Sequence, residues 1–127
     1  MSPPDKFLAR WTCRFACAFR GLGWVLLREP SGRVHVAGAL LAAAMGVWLK
    51  ITSTEWAVLA VACGAVIGGE ALNTAIEKLA DRVTPEREEA IRLVKDTAAG
   101  GVLAVTLGAV AAGLGIFGPR LWALVSG

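Results

Sequence analysis

The chain has 127 residues, enough for one domain and too few for two. Hydrophobic residues make up 56% of it and the mean hydropathy is +0.61, which is high for a soluble globular protein and ordinary for a small membrane protein. The net charge of +3 is too small to favour nucleic-acid binding without strong clustering of basic residues, so no nucleic-acid partner is expected.

The N-terminal part, residues 4–28, is predicted to form an amphipathic helix. Its apolar stripe comprises Phe7, Leu8, Trp11, Phe15, Ala18, Phe19, Leu22 and Leu26. Its polar side carries Lys6, Arg10, Arg14 and Arg20. A basic face opposite an aromatic face is typical of a helix that lies in the plane of a membrane surface. The sequence Glu-Pro-Ser-Gly at 29–32 is expected to end this helix, because the residue before proline avoids the helical conformation.

Three membrane spans are predicted, at 34–49, 56–77 and 97–117. The first contains sixteen residues without charge, somewhat fewer than the roughly 20 that cross a bilayer. Arg33 and Lys50 at its ends can snorkel to the membrane interfaces and make up the difference. The third span is expected to end at Gly118-Pro119. The predicted fold is therefore all-α and integral to the membrane, with residues 1–127 as a single domain.

The distribution of lysine and arginine predicts the orientation of these spans. Six of these residues precede the first span and five lie between 78 and 95, against one in the first loop and one after the third span. The N-terminus and the second loop are therefore predicted to be cytoplasmic. Trp48, Trp56 and Trp122 all fall at the opposite boundary, as an aromatic belt would.

The second span leads into a polar surface of one helix. Fourteen residues without charge, 56–69, are followed by a set at steps of three, four, seven and eleven residues, which share one helical face. This acidic face comprises Glu70, Asn73, Thr74, Glu77 and Asp81. A carboxylate at the end of such an apolar run is costly unless it has a function or a cationic partner.

Depth in the membrane separates the two glutamates of the acidic face. At about 1.5 Å of rise per residue, Glu70 lies about 21 Å from Trp56, inside a hydrocarbon core of about 30 Å, and Glu77 lies about 32 Å along, at its cytoplasmic boundary. Glu29 before the first span and Lys95-Asp96 before the third are expected at the same level. These charged groups are therefore expected to converge at the cytoplasmic interface.

Several functions suit such a cluster. Two or three carboxylates can hold Mg²⁺ together with phosphate oxygens, a lysine can meet phosphate, and a partly desolvated carboxylate can act as general base, which together make a phosphoryl-transfer site. Membrane carboxylates also mark proton paths, so a small proton-coupled carrier is an alternative. A third is a non-enzymatic oligomeric subunit in which Glu70 or Glu77 forms interhelical ion pairs. Because three short helices do not easily bury an acidic face, an oligomer is expected.

Two further patterns carry less weight. Thr84-Pro85-Glu86 is predicted to begin a helix, with Glu86, Glu88 and Glu89 as a solvated face in its first turns. The spacing Gly113, Gly115, Gly118 matches a dinucleotide-binding fingerprint, but no strand precedes it, so it is interpreted as a chance match.

The segment Glu70-Ala-Leu-Asn-Thr-Ala-Ile-Glu77, followed by Asp81-Arg82 and by Lys95-Asp96, closely resembles the signature of prokaryotic diacylglycerol kinase and its undecaprenol kinase relatives. The resemblance covers nearly the whole chain. It implies a homotrimeric enzyme of the bacterial inner membrane whose active sites are shared between subunits. Such an enzyme transfers the γ-phosphate of MgATP to a lipid hydroxyl, and diacylglycerol is the acceptor predicted here, with undecaprenol as the alternative.

The resemblance also assigns roles to individual residues. Glu70 resembles the catalytic base, and Glu29 and Glu77 resemble the carboxylates that bind Mg²⁺. The positions that resemble the rest of the ATP site are Arg10, Asn73, Lys95 and Asp96, with Lys95 toward phosphate and Asp96 toward the adenosine end.

This chain departs from the family pattern in one place and resembles one branch in another. Cys13, with Arg14 beside it, stands where the family often has a lysine, which affects the N-terminal part of the ATP site. Arg33-Val-His35 after Glu29 is closer to the undecaprenol kinase branch. His35 is expected to be structural or to contact a lipid headgroup.

Overall fold

The computed structural model describes residues 3–84, 86 and 88–127, with side chains from residue 6 onward. Four helices account for nearly all of this part of the chain: α1 (Pro3–Arg28), α2 (Pro30–Trp48), α3 (Ser53–Val83) and α4 (Glu89–Ser126). No strand occurs in the described residues. The all-α prediction is thus confirmed.

α1 and α2 meet at a sharp corner of one residue. Glu29 has extended backbone angles, φ −83° and ψ 135°, and Pro30 is the first residue of α2, where its missing N–H costs nothing. The predicted break of four residues is therefore too long, and α2 begins four residues earlier than the predicted span. Gly32 faces α1 so closely that a Cβ built on it would lie 2.1 Å from the carbonyl oxygen of Val25. Only glycine fits this contact, so the corner holds Glu29 in a defined place.

α3 is longer than predicted at both ends. Thr52 caps its start with a capping box, in which the Thr52 hydroxyl accepts a hydrogen bond from the Glu55 N–H and the Glu55 carboxylate accepts one from the Thr52 N–H. The helix then runs past Glu77 to Val83, so the whole acidic face lies on a single continuous helix.

The predicted end of the last helix at Gly118-Pro119 is wrong, because α4 continues through Pro119 to Ser126. Proline removes one backbone hydrogen bond, but side-chain bonds hold the two sides of this position together. Arg120 donates from Nη1 to the Ile116 carbonyl at 2.9 Å and forms a two-point ion pair with Glu55 of α3, at 2.8 and 2.7 Å. This pair ties the end of α4 to the start of α3.

The predicted helix start at Thr84 is also wrong. Thr84 ends α3, its hydroxyl accepts a hydrogen bond from the Glu86 N–H at 3.1 Å, and α4 begins at Glu89. Pro85, the predicted first helical residue, lies outside the described residues. A threonine hydroxyl that accepts the backbone N–H two residues on stabilises a turn, and the same hydroxyl chemistry can cap a helix.

By length and composition, α3 and α4 can each cross a membrane. Of their apolar windows only 28% and 11% is buried inside the chain, far less than for the core helix of a soluble protein. The charge-free segments, 56–69 and 97–119, are the parts suited to the membrane interior. α2 has 19 residues and begins with the polar sequence Pro-Ser-Gly-Arg, so its crossing stays a prediction.

The small hydrophobic core lies at the end of the α3–α4 pair that contains Glu55. Its buried members are Ile51, Leu59, Ile116 and Phe117, with Trp56 packed against them. Gly46 of α2 comes so close that a Cβ there would lie 2.7 Å from the Trp56 ring. The acidic face lies toward the opposite end of α3, away from this core.

Candidate active site

Among the residues whose burial the structure describes, Glu70 is the one buried carboxylate, with 6% of its surface exposed. Its Oε1 accepts hydrogen bonds from the Ser31 hydroxyl of α2 and, at 3.5 Å, from the Thr74 hydroxyl one turn along α3. Its Oε2 lies 3.7 Å from Nε2 of His35. Glu70 is therefore oriented by two hydroxyl groups and faces an imidazole.

Ser31 and His35 lie four residues apart on α2, so both point from the same side of that helix toward Glu70. His35 thus contacts the acidic face, and its predicted role, structural or in contact with a lipid headgroup, stays a prediction. Ser31 and His35 follow Glu29 by two and six residues, and this helical spacing of four could have identified them as sharing one face of α2. The sequence alone does not show which helix α2 packs against, so their common target stayed hidden.

One alternative explained Glu70 and Glu77 by interhelical ion pairs with lysine or arginine. Within the part of the chain that the structure describes, neither Glu70 nor Glu77 pairs with a lysine or arginine side chain. A buried carboxylate without such a partner is expensive to maintain. Its cost suggests that Glu70 serves the chemistry of the site rather than the packing.

Asn73 and Glu77 form the next pair along the acidic face. Asn73 donates from Nδ2 to Glu77 Oε1 at 3.2 Å, while its own Oδ1 is buried and has no hydrogen-bond partner. An unpaired buried amide oxygen points to a missing donor or cation. Together with Glu77 it offers the carboxylate and amide oxygens that Mg²⁺ accepts.

Glu29 meets the acidic face through a lysine. Lys78 of α3 places Nζ 2.9 Å from Glu29 Oε1 and also lies 4.7 Å from the centre of the Trp24 ring on α1. Glu29 thus lies at the level of Lys78 along α3, one residue beyond Glu77. No local sequence pattern indicates this lysine contact, because Lys78 lies on α3 and Glu29 at the start of α2.

Lys95 and Asp96 lie about two turns into α4, beside the end of α3. Lys95 Nζ forms an ion pair with Asp81 Oδ1 at 2.9 Å. This hydrogen bond and the charge of Asp81, helped by the charge of Glu77, raise the pKa of Lys95, which lies before the charge-free segment of α4. Lys95 therefore stays a cation and already touches the acidic face.

A cavity of about 690 Å³ lies between the end of α3 and the start of α4. The charged residues in its lining are Asp81, Glu86, Glu88, Glu89, Arg92, Lys95 and Asp96. It has the size of a small-ligand site and brings together Lys95 and Asp96, two of the residues predicted to contact the nucleotide.

Arg10 is the predicted site residue that the structure does not bring to the others. It is exposed on α1, far along the chain from the corner at which α1 meets α2. The neighbouring Arg14 lies 5.3 Å above the Trp11 ring, and Cys13 is an exposed free thiol. Arg14 is thus held by an aromatic side chain of its own helix.

The donor types fit Mg²⁺, although one chain does not complete a metal site. Among the described residues, no three His, Cys, Asp or Glu side chains lie close enough together to hold an ion. Glu29, Glu77 and the unpaired Asn73 Oδ1 are hard oxygen donors, and Glu29 contacts α3 at Lys78, the residue after Glu77. Mg²⁺ commonly binds through one or two carboxylates plus phosphate oxygens, so this set suits an ion that arrives with a nucleotide.

Comparison with known proteins gives two matches. The family model described as prokaryotic diacylglycerol kinase matches residues 16–117, a range that includes every predicted site residue except Arg10. The undecaprenol kinase of Bacillus subtilis (strain 168) is 31% identical over 114 residues, which cover 90% of this chain and 93% of that protein.

Proposed function

This chain belongs to the prokaryotic diacylglycerol kinase family, and we propose that it is a membrane lipid kinase that transfers the γ-phosphate of MgATP to the hydroxyl group of a lipid. The observation that carries the proposal is Glu70, a buried carboxylate at the end of a charge-free helical segment that has no lysine or arginine partner among the described residues. The proton-coupled carrier is the less favoured alternative, because it does not explain the family match.

In this proposal Glu70 is the general base. It takes the proton of the lipid hydroxyl as that oxygen attacks phosphorus. The Ser31 and Thr74 hydroxyls hold the carboxylate in place, and the apolar segment 56–69 excludes water on one side of it. A position inside the membrane boundary suits a substrate whose hydroxyl lies near the headgroups.

The nucleotide would bind on the cytoplasmic side of Glu70. Glu29 and Glu77 would hold Mg²⁺, which neutralises charge on the triphosphate when bound, and Asn73 would supply an amide oxygen. Lys95 would meet phosphate and Asp96 the adenosine end, since both line the cavity between α3 and α4. Arg10 lies away from these residues in the single chain, so its contact with the nucleotide stays a prediction from the resemblance.

The proposed assembly is a homotrimer in the bacterial inner membrane, with three crossings per chain and the N-terminus and active site in the cytoplasm. Large apolar side chains exposed along the two long helices support it. Examples are Val61 (73% exposed), Leu72 (68%), Leu103 (60%) and Leu107 (60%). Lipid and neighbouring copies would cover these side chains, and a neighbour would complete each site.

The acceptor remains to be chosen between two lipids. Diacylglycerol is the acceptor predicted from the sequence, and undecaprenol is favoured by the name of the Bacillus subtilis relative. The purified protein in lipid vesicles, given Mg²⁺, labelled ATP and each acceptor in turn, is expected to make labelled phospholipid from at least one. No product from either would refute the kinase, and proton-driven flux in sealed vesicles without ATP would support the carrier.

The metal assignment has its own test in the same assay. Glu77→Gln is expected to raise the Mg²⁺ concentration needed for half-maximal activity by roughly tenfold or more, because a divalent cation loses a charged ligand. Glu55→Gln, which removes a carboxylate at the opposite end of α3, is the matched control. An unchanged Mg²⁺ dependence in Glu77→Gln would contradict the assignment.

A further inference from the structure

Lys78 links three helices through one ammonium group. It projects from α3, contacts Glu29 at 2.9 Å at the corner between α1 and α2, and lies 4.7 Å from the Trp24 ring of α1. The signature residue next to it, Glu77, faces Asn73 instead. The cation beside Glu29 is therefore a lysine of the chain itself.

The ion pair between Lys78 and Glu29 contributes little to the stability of the fold, so another cation can replace the lysine at low cost. The side chain of Lys78 is 54% exposed and that of Glu29 is 24% exposed, and exposed pairs contribute little to stability because water and salt screen them. The tight contact between Gly32 and the Val25 backbone constrains the main chain of the corner that carries Glu29. The mobile member of the pair is the lysine, on a flexible stem.

We propose that Lys78 is an exchangeable counter-ion of Glu29. Its ammonium occupies the cation position beside Glu29 when no nucleotide is bound, and it is displaced when a divalent cation arrives with a nucleoside triphosphate. The inference rests on the proposed function, which assigns Glu29 to metal binding. Lys78 is thus a positioning residue that keeps Glu29 neutralised between turnovers, and its departure also breaks the contact with Trp24.

The first test measures binding without turnover. Mn²⁺ and the non-hydrolysable β,γ-methylene analogue of ATP are titrated into the full-length protein in lipid, and free Mn²⁺ is followed by electron paramagnetic resonance. Lys78→Met is expected to tighten Mn²⁺ binding by roughly two- to fivefold, the effect of one exposed ion pair on an equilibrium constant. Lys78→Arg should bind like the wild type, because the counter-ion is kept.

Two further variants show whether the gain acts through Glu29. In the background of Glu29→Gln, adding Lys78→Met is expected to give no further gain, since the carboxylate charge that the lysine neutralises is gone. Lys50→Met removes the same charge from the loop between α2 and α3 and should leave Mn²⁺ binding unchanged. A gain of equal size in Lys50→Met would mean that net charge, not exchange at Glu29, controls affinity.

Trp24 gives an independent spectroscopic signal. The difference in emission between the wild type and Trp24→Phe isolates this indole from the other tryptophans. Adding Mg²⁺ with the analogue is expected to change that difference in the wild type, because the ammonium leaves the ring, and to leave it unchanged in Lys78→Met.

Two results would overturn the inference: equal or weaker Mn²⁺ binding by Lys78→Met, or a Trp24 signal that ignores saturating metal and analogue. Failure of the proposed function is a separate outcome. Kinase activity in the wild type without a gain in Lys78→Met refutes the counter-ion alone. A gain in Lys78→Met without activity on either lipid refutes the kinase alone.

Discussion

The polar groups at the N-terminal end of α3 have hydrogen-bond and ion-pair partners, whereas several in its C-terminal half lack them. At the N-terminal end Thr52 and Glu55 satisfy each other in a capping box, and Arg120 holds both oxygens of Glu55. In the C-terminal half, Glu70 is 6% exposed and forms no ion pair with a lysine or arginine among the described residues. The buried Oδ1 of Asn73 has no hydrogen-bond partner there. One helix thus contains a completed site and an incomplete one.

The difference separates stability from function. The ion pair at Glu55 joins α3 to α4 next to the hydrophobic core, where it fixes the helical pair. The groups around Glu70 cost free energy in the isolated chain and would be stabilised by a hydroxyl, a metal or a neighbouring copy. Local conflicts of this kind are expected at functional sites.

The largest difference between the two ends of α3 is expected when one carboxylate is removed from each in turn. Glu70→Gln is expected to lower kcat with either acceptor by about 10²- to 10⁴-fold, the usual contribution of a general base, while the thermal midpoint stays the same or rises. Glu55→Gln should do the reverse, keeping kcat and lowering the midpoint. Full activity in Glu70→Gln would show that this carboxylate is not the base.

The sequence predicted the helices better than their ends. Periodicity and charge-free runs identified α1, α3 and α4, but the proline rules misplaced three boundaries, one of them the start of α4, which is at Glu89 and was predicted at Thr84-Pro85. Pro30 is the first residue of α2 and does not lengthen the break before it. Pro119 is tolerated inside α4, where the adjacent Arg120 forms an ion pair with Glu55, 65 residues away in sequence. Such a contact is invisible to any local pattern.

The candidate site divides in the same way. The acidic face was predictable because its members share one helix and one period. The partner of Glu70 was not, since Ser31 lies 39 residues away on α2, and neither was the lysine beside Glu29. Helical spacing predicts which side chains share a face, but only packing decides what that face meets.

Close packing near Glu55 gives the second prediction. Gly46→Ala is expected to destabilise the protein by about 1–3 kcal/mol, because the new methyl group must displace the bulky Trp56 ring in a filled core. The contact it would make measures 2.7 Å in the present geometry. Thermal unfolding in detergent should show the loss while kcat stays near that of the wild type. Gly38→Ala, at a position of α2 with open space, is the matched control.

The third prediction concerns the groups that hold the base. Ser31→Ala is expected to lower kcat by roughly tenfold, because a hydrogen bond to a charged carboxylate is lost. KM for ATP should stay constant, since Ser31 contacts Glu70 and not the residues assigned to the nucleotide. Ser31→Thr keeps the hydroxyl and should recover much of the rate. A change in KM with constant kcat would place Ser31 at the nucleotide instead.

The smallest expected effect is the pH dependence of the stability that the Glu55–Arg120 ion pair contributes at the N-terminal end of α3. Arg120, followed by the Thr52 backbone N–H, lowers the pKa of Glu55 from its ordinary value of 4.5 to about 2, at a position before the charge-free segment 56–69. A carboxylate whose pKa is depressed by folding stabilises the folded state above its unfolded pKa and loses that contribution as pH falls through the folded value. The difference in thermal midpoint between wild type and Glu55→Gln should therefore be constant from pH 7 to about 5 and shrink as pH falls from 4.5 toward 2.

Because the Glu55–Arg120 pair is partly exposed, added salt should also reduce this difference in thermal midpoint. A difference that persists undiminished at the lowest pH would mean that Glu55 acts through packing and capping geometry rather than through its charge.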